Sequence, residues 1–115
     1  MRIDKPWGYE LIWARTDRYV GKILHIEAGT KLSLQYHRRK DETIYIVSGR
    51  MDLVVEEDGR RRTIRMEPGD YRHIPPGTVH RMVAVETCDA VEVSTTELDD
   101  VVRLEDDYGR AGSGE

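Results

Sequence analysis

Polar side chains of the types that bind metals occur at two places in this sequence. Gln35 and His37 lie two residues apart in a segment rich in strand-forming residues, and Glu42 follows shortly after. Residues two apart on a strand point to the same face, so this amide and imidazole should share one side of it. His80, which follows the rigid turn at 75–77, is the candidate fourth ligand. Together these donors could bind a divalent metal ion.

Each candidate ligand also has a structural explanation. The polar face of a strand at 31–37 would suit an ordinary surface strand, and an isolated histidine is more often structural than a ligand. Against this, Glu42 is in register with Ile44 and Ile46, which places a carboxylate at the mouth of an apolar face. A carboxylate there needs a partner. Spacing alone leaves metal binding and a structural role equally open.

The elements that would position these residues are short β-strands. Helical periodicity is hard to find, whereas β-branched and aromatic runs recur about every ten residues, separated by Gly, Pro or Asp. The pattern predicts an all-β fold, and nine short strands suit a jelly roll. The predicted strands are 9–13, 19–27, 31–37, 43–48, 51–57, 61–66, 71–74, 80–85 and 90–94, followed by a turn and a short strand or irregular arm at 95–110.

Length and composition limit the other possibilities. The 115 residues suffice for one domain, expected at 1–110, with a disordered tail at 111–115. No apolar run approaches the roughly 20 residues that span a bilayer, and no secretory signal precedes the single cysteine, so we expect no membrane partner and a cytoplasmic location. A net charge of -4 gives no support for nucleic-acid binding. Exposed edge strands favour a homodimer.

Two longer patterns around the candidate ligands are more specific. One pattern resembles the first cupin motif and reads Gly29-x5-Gln35-x-His37-x4-Glu42-x6-Gly49, with Gln35 where most cupins carry a histidine. The other pattern resembles the second cupin motif and reads Gly69-x5-Pro75-x-Gly77-x2-His80-x3-Ala84, with Ala84 where an asparagine is usual. This resemblance implies the cupin double-stranded β-helix, a jelly-roll barrel.

Further segments narrow the family. KPWGYE, LSLQYH, IYIVSG, YRHIPPGTVHR and DDVVRLEDDYGR resemble the C-terminal isomerase domain of type II phosphomannose isomerases, over nearly the whole chain. The resemblance implies that Gln35, His37, Glu42 and His80 hold one divalent metal ion. Zinc is expected first, with manganese, iron, nickel or cobalt as the other options. The nucleotidyltransferase domain that usually precedes such a module is not in this sequence, so we expect no GDP-mannose chemistry.

The activity implied by the resemblance is aldose–ketose isomerisation of a sugar phosphate such as mannose 6-phosphate. An amide oxygen is a harder and weaker donor than an imidazole, so Gln35 favours Lewis-acid chemistry over redox chemistry. Another metal-dependent activity, such as that of a dioxygenase or an epimerase, is one alternative. A non-catalytic module that binds a sugar or a carboxylate is the other.

An isomerase also needs a general base and a phosphate contact. The candidate bases are Lys22, expected to point into the barrel unless it is a snorkelling edge lysine, and Glu92, which alternates with two valines and is expected to face outward unless the register shifts. Lys31 and Arg103 match basic positions in the family segments and could contact a phosphate. The alternative for Arg103 is a structural ion pair with a neighbouring carboxylate at 105 or 106.

Overall fold

The computed structural model describes residues 1–113, and every regular element in that range is a β-strand. None of these residues forms a helix of the length and apolar character that crossing a membrane requires. The strands are β1 Arg2–Lys5, β2 Gly8–Arg15, β3 Val20–Ile26, β4 Leu34–Tyr36, β5 Glu42–Ser48, β6 Met51–Glu57, β7 Arg60–Met66, β8 Tyr71–Ile74, β9 His80–Ala84, β10 Cys88–Ser94, β11 Val102–Glu105 and β12 Gly112–Ser113.

The strands form two six-stranded antiparallel sheets. The first sheet has the order β1-β2-β3-β10-β5-β8, and the second has the order β12-β11-β4-β9-β6-β7. Strands that are far apart in sequence pair at the centre of each sheet, as β3 does with β10 and β4 with β9. This topology confirms the predicted all-β jelly roll.

The core lies between the two sheets and follows from the period-two alternation of the strands. In β6, Met51, Leu53 and Val55 are buried, while the residues between them are more exposed. Ile44 and Ile46 of β5 are fully buried against the same cluster. Because alternate residues of a strand share one face, an apolar residue at every second position is enough to line the interior.

The strand boundaries differ from the sequence prediction at both termini and at the candidate site. β1 was not predicted, and the predicted strand at 31–37 is reduced to β4, with an isolated bridge between Lys31 and Val83. β11 corresponds to the short strand expected within 95–110. Of the tail predicted to be disordered at 111–115, Gly112–Ser113 pairs with β11. Residues 114–115 lie outside the described residues.

Candidate metal centre

Three of the four predicted ligands form a buried cluster at one end of the barrel. His37 follows β4, Glu42 begins β5 and His80 begins β9, and their exposed fractions are 4%, 2% and 1%. Their candidate ligand atoms all lie within 4.8 Å of one another. Glu42 Oε1 is 3.2 Å from Nε2 of each histidine. The topology therefore brings together the residue after β4 and the first residues of β5 and β9.

The hydrogen bonds of the two imidazoles determine which nitrogen faces Glu42. His37 Nδ1 lies 2.6 Å from the Asp100 carbonyl oxygen, and His80 Nδ1 lies 2.8 Å from the Thr78 carbonyl oxygen. A carbonyl oxygen only accepts hydrogen bonds, so each Nδ1 must donate, and in a neutral ring Nε2 then keeps its lone pair. Neither Nε2 has a hydrogen-bond partner among residues 1–113.

This arrangement fits a metal ion. Two imidazole lone pairs and a carboxylate face one another in a buried space, where unpaired polar groups are costly. Histidine ligands of metals almost always donate their other ring N–H to a carbonyl or carboxylate, as both histidines do here. The chemistry of the donor set is therefore that of a divalent-metal site.

Gln35, the fourth predicted ligand, lies beside this cluster. It is directly opposite His80 in the pairing of β4 with β9, and cross-strand partners point to the same face. The Ser33 hydroxyl donates to Gln35 Oε1 at 2.6 Å. An amide oxygen has two lone pairs, so Ser33 can orient this oxygen and leave one lone pair for a metal.

Lys40 is a buried residue of the site that the sequence reasoning missed. Its Nζ lies 3.2 Å from Glu42 Oε2 and 3.1 Å from Glu92 Oε2. Burial opposes its charge, but Glu92 and Glu42 outweigh burial and raise the pKa of Lys40 above its ordinary value. In the sequence it belongs to the charged run at 38–42, which looks like a solvated turn. Its two-residue spacing from Glu42 was the only available signal.

The two carboxyl groups on either side of Lys40 differ in character. Burial opposes ionisation of Glu42, but hydrogen bonds from the protonated forms of His37 and His80, together with the charge of Lys40, hold its pKa well below its ordinary value. Burial and the charge of Glu42 raise the pKa of Glu92. The pKa values of the two carboxyl groups therefore shift in opposite directions, although both groups contact the Lys40 ammonium group.

Glu92 faces the interior, so the expectation that it faces outward was wrong. β10 lies at the centre of the first sheet, and its buried face consists of Cys88, Ala90, Glu92 and Ser94. The valines that alternate with them lie on the opposite face, where Val93 is 48% exposed. The prediction assumed that the valines would be the buried residues. Glu92 is buried in their place, and its carboxylate contacts the Lys40 ammonium group inside the barrel.

A second missed residue, Asp100, supports the loop that carries His37 and Lys40. Its carboxylate accepts hydrogen bonds from the backbone N–H groups of Arg38, Arg39 and Lys40, while its carbonyl accepts from His37. Partial burial opposes ionisation, but the three N–H groups lower the pKa of Asp100. Nothing in the sequence around Asp99-Asp100 distinguished it from other surface acidic residues.

A cavity of about 470 Å³ opens beside the cluster and is lined by Gln35, His37, Lys40 and Glu92 among others. Lys22 also lines it, as expected for a residue that points into the barrel. Lys22 Nζ lies 3.4 Å from both carboxylate oxygens of Glu10. The lysine therefore has a counter-ion inside the barrel, which the sequence reasoning did not foresee.

The two predicted phosphate contacts lie in different environments. Arg103 is 9% exposed and lines the cavity. Burial opposes ionisation of Asp106, but Arg110 and then Arg103 lower its pKa, so the ion-pair role considered for Arg103 also has support. Lys31 lies outside the cavity wall, with its Nζ 3.6 Å from Asp107 Oδ2.

Basic residues dominate the charged part of the cavity wall. The basic lining residues are Lys5, Arg15, Lys22, Lys40, Arg103 and Arg110, against the acidic Glu10, Glu92 and Asp99. A concave wall with an excess of one charge concentrates ligands of the opposite charge. Lys22, Lys40 and Arg110 have carboxylate partners within the chain, so the net positive charge of the wall is smaller than this count.

Comparisons with known proteins agree with this fold. A sequence profile of the cupin domain matches residues 22–95. The mannose-1-phosphate guanylyltransferase of Escherichia coli is 31% identical over 114 residues, which cover 94% of this chain and 23% of that protein. The alginate biosynthesis protein AlgA of Pseudomonas aeruginosa is 29% identical over 113 residues, with coverage of 94% and 23%. The chain spans about a quarter of the length of these relatives.

Solved structures support the fold alone. KdgF from Halomonas sp. superimposes with a TM-score of 0.73 at 24% identity, covering 86% of this chain and 90% of KdgF. A mutant of the oxalate decarboxylase OxdC of Bacillus subtilis gives a TM-score of 0.78 at 18% identity, covering 90% of this chain and 30% of OxdC.

Proposed function

The chain belongs to the cupin domain family, and we propose that it is a divalent-metal cupin that interconverts the aldose and ketose forms of a sugar phosphate. The observation that carries the proposal is the convergence of two imidazole lone pairs and the Glu42 carboxylate beside a cavity with a basic wall. The reaction class comes from the segments that resemble the isomerase domain of type II phosphomannose isomerases.

In this proposal His37, Glu42, His80 and Gln35 hold the metal ion, with zinc as the expected metal. Two imidazoles, a carboxylate and an amide oxygen are a donor set that zinc accepts, and manganese, iron, nickel and cobalt are the competitors. When bound there, the ion would supply Lewis-acid chemistry towards the substrate carbonyl and its neighbouring hydroxyl. Ser33 and the backbone carbonyls of Thr78 and Asp100 orient the ligands.

We assign the proton transfer between C1 and C2 of the substrate to Glu92. Glu92 lines the cavity and is 5% exposed, and burial and the charge of Glu42 raise its pKa. The Lys40 ammonium group, 3.1 Å away, fixes its orientation. The other candidate base, Lys22, is held by Glu10 and would orient the substrate through its charge.

Arg103 is the proposed phosphate contact. It projects from β11 into the cavity wall, and its planar guanidinium can donate two parallel hydrogen bonds to a phosphate. Lys5 and Arg15 line the same cavity and would add charge around the phosphate. The contact proposed from the sequence for Lys31 requires its side chain to leave Asp107 and turn into the cavity.

The direct test is a coupled assay of mannose 6-phosphate isomerisation with the zinc-, manganese- or cobalt-loaded protein. We expect turnover with at least one metal, and a loss of roughly 100-fold or more in kcat for Glu92→Gln, the usual scale of general-base removal. Glu86→Gln is the matched control, because Glu86 is exposed and does not line the cavity. A metal-loaded protein without isomerisation above background would contradict the proposal.

A non-catalytic module that binds a sugar or a carboxylate is the second candidate, favoured by the ion pairs that engage both Lys22 and Glu92. Calorimetric binding of a sugar phosphate without turnover would support it. Oxygen-dependent turnover with bound iron would instead identify a dioxygenase.

A further inference from the structure

The outer face of the first sheet carries a continuous row of apolar side chains. Leu11, Ile23, Val91, Tyr45 and Tyr71 are successive cross-strand partners on β2, β3, β10, β5 and β8. Cross-strand partners point to the same side of a sheet. The row therefore crosses five strands on the side away from the barrel interior.

Further apolar residues widen this row. Val47 and Val93 lie two positions along their strands from Tyr45 and Val91, so they share the outer face. The Trp13 ring covers Gly21, where an added Cβ would lie 2.6 Å from the ring, and Gly21 is the cross-strand partner of Val93. We call this surface the apolar sheet face, made of Leu11, Trp13, Ile23, Tyr45, Val47, Tyr71, Val91 and Val93.

Much of the apolar sheet face is open to solvent. The exposed fractions are 73% for Tyr71, 54% for Trp13, 53% for Val47, 48% for Val93 and 46% for Tyr45. Contiguous exposed apolar patches of several hundred Å² on a protein surface mark interaction sites. The sheet face has the properties of such a site.

The outer face of the second sheet provides an internal contrast. There Asp52 pairs with Arg65 across strands, and Glu56 pairs with Arg61, whose Nη2 lies 2.7 Å from its carboxylate. These residues form a charged surface of the kind that water solvates. The apolar face is thus a property of one sheet and does not follow from the fold in general.

We propose that the apolar sheet face is the two-fold interface of a homodimer. Taking about 200 Å² per aromatic residue, Trp13, Tyr45 and Tyr71 alone leave roughly 350 Å² exposed. A stable interface buries about 800 Å² on each partner, so three side chains supply close to half of it. The flanking aliphatic residues extend the contact over the rest of the face.

The charges around the face are compatible with a second copy of this chain. In a two-fold interface the same surface meets itself, so an unpaired charge near the axis would approach its own copy. At the border of the face, His25 Nδ1 lies 2.6 Å from Asp89, and His73 Nε2 lies 2.6 Å from Asp41. Each of these border carboxylates accepts a hydrogen bond from a histidine ring of its own chain, so two copies can pack face to face.

Sedimentation velocity of the full chain, over a range of concentrations, tests this proposal. We expect the wild-type protein to sediment as a dimer, and Val93→Lys and Tyr45→Lys to raise the dimer dissociation constant by roughly 30-fold or more. Leu104→Lys is the matched control and should leave the dimer intact, because Leu104 is also 48% exposed but lies on the second sheet. Circular dichroism checks that each variant is folded.

Hydroxyl-radical footprinting of the wild-type protein gives a second readout that requires no variant. Tyr71 is 73% exposed and Tyr108 is 37% exposed, so Tyr71 should react faster in the dilute monomer and become protected at high concentration. A wild-type protein that is monomeric at every concentration would overturn the proposal. So would a dimer in which Tyr45 and Tyr71 stay reactive, because it would form through another surface. A monomer whose tyrosines are protected only by another, co-purifying protein would also overturn it.

Discussion

Two groups of buried charge lie inside the same barrel and differ in how their charges are balanced. Lys22 and Glu10 face each other at 3.4 Å, an ion pair made entirely of protein atoms. In the other group, the candidate ligand atoms of His37, His80 and Glu42 all lie within 4.8 Å of one another, and each of them can donate an electron pair. Lys40 neutralises one oxygen of Glu42 but does not reach the two imidazoles through any hydrogen bond that the structure describes.

The difference shows how a functional site can be distinguished from a structural ion pair. Burying a charge is costly unless the partner is supplied, so a buried group without a partner in the protein indicates a partner from outside. The Lys22 and Glu10 pair requires nothing further. The donor cluster offers ligands for a cation from outside the protein. Substitutions in the two groups test that contrast, from the largest expected effect to the smallest.

The largest effect is expected for a ligand substitution. Glu42→Gln should weaken zinc binding by at least about 100-fold, because it removes the carboxylate that faces both imidazoles. Competition with a chromogenic chelator measures the affinity. Glu10→Gln is the control within the same barrel and should leave zinc affinity unchanged. Equal losses for both variants would remove the distinction between the two groups.

Replacement of Lys40 should have the next largest effect, on stability. Lys40→Met leaves Glu42 and Glu92 buried without their shared cation, and breaking such a pair costs about 3–5 kcal/mol. Urea unfolding of the metal-free protein measures this free energy. Lys31→Met removes an exposed ion pair and should cost less than about 1 kcal/mol. A similar cost for both lysines would contradict the role given to Lys40.

The Lys22 and Glu10 pair should behave as a self-contained unit. Glu10→Leu alone leaves a buried ammonium without its counter-ion and should cost about 3 kcal/mol of unfolding free energy. The double variant Glu10→Leu with Lys22→Leu removes both charges and should recover most of that loss. Zinc affinity should not change in either variant. A double variant as unstable as the sum of the singles would show that the pair has no mutual interaction.

A smaller effect is expected at Asp100. Its folded-state pKa is lowered, so its carboxylate stabilises the fold above its ordinary pKa of about 3.9, and this stabilisation is lost as the pH falls through the folded-state value. Asp100→Asn should cost about 1 kcal/mol at neutral pH and reduce the loss of stability between about pH 5 and low pH. Urea unfolding across that range measures both. An unchanged pH profile would contradict the assigned hydrogen bonds.

The sequence predicted the parts of this molecule that follow from local patterns. Alternation placed most of the strands, and the two motifs gave the spacing of Gln35, His37, Glu42 and His80. The fold brings His37, Glu42 and His80 together and pairs Gln35 with His80 across strands. Both depend on residues close together along the chain or on turns of fixed geometry. The jelly roll could therefore be predicted from the sequence, and the sheet topology and the match to the cupin domain confirm it.

What the sequence did not predict depends on partners distant along the chain. Lys40 looked like part of a solvated charge run because Glu92, its partner, is 52 residues away. Asp100 is 62 residues from Arg38, whose backbone N–H group donates to its carboxylate. The orientation of Glu92 was wrong because apolar content alone does not say which face of a central strand is inside. These contacts depend on which distant segments the folded sheets bring together, and local sequence patterns do not show that.

Several expectations stay predictions. These are the domain boundary at residue 110, the cytoplasmic location, the homodimer, the absence of nucleic-acid and membrane partners, the identity of the metal and the sugar-phosphate substrate. The contacts at Arg103 and Lys31 are tested only by activity or by a bound ligand. The metal centre comes before all of them, because the proposed chemistry depends on it.

The most direct test of the metal centre is the metal content of the purified protein after saturation with zinc and exhaustive dialysis. We predict one zinc ion per chain by elemental analysis, and a content close to zero for His80→Ala, with Lys22→Met retaining the wild-type content. A wild-type protein that holds no divalent metal, or a His80→Ala protein that keeps a full equivalent, would contradict the account.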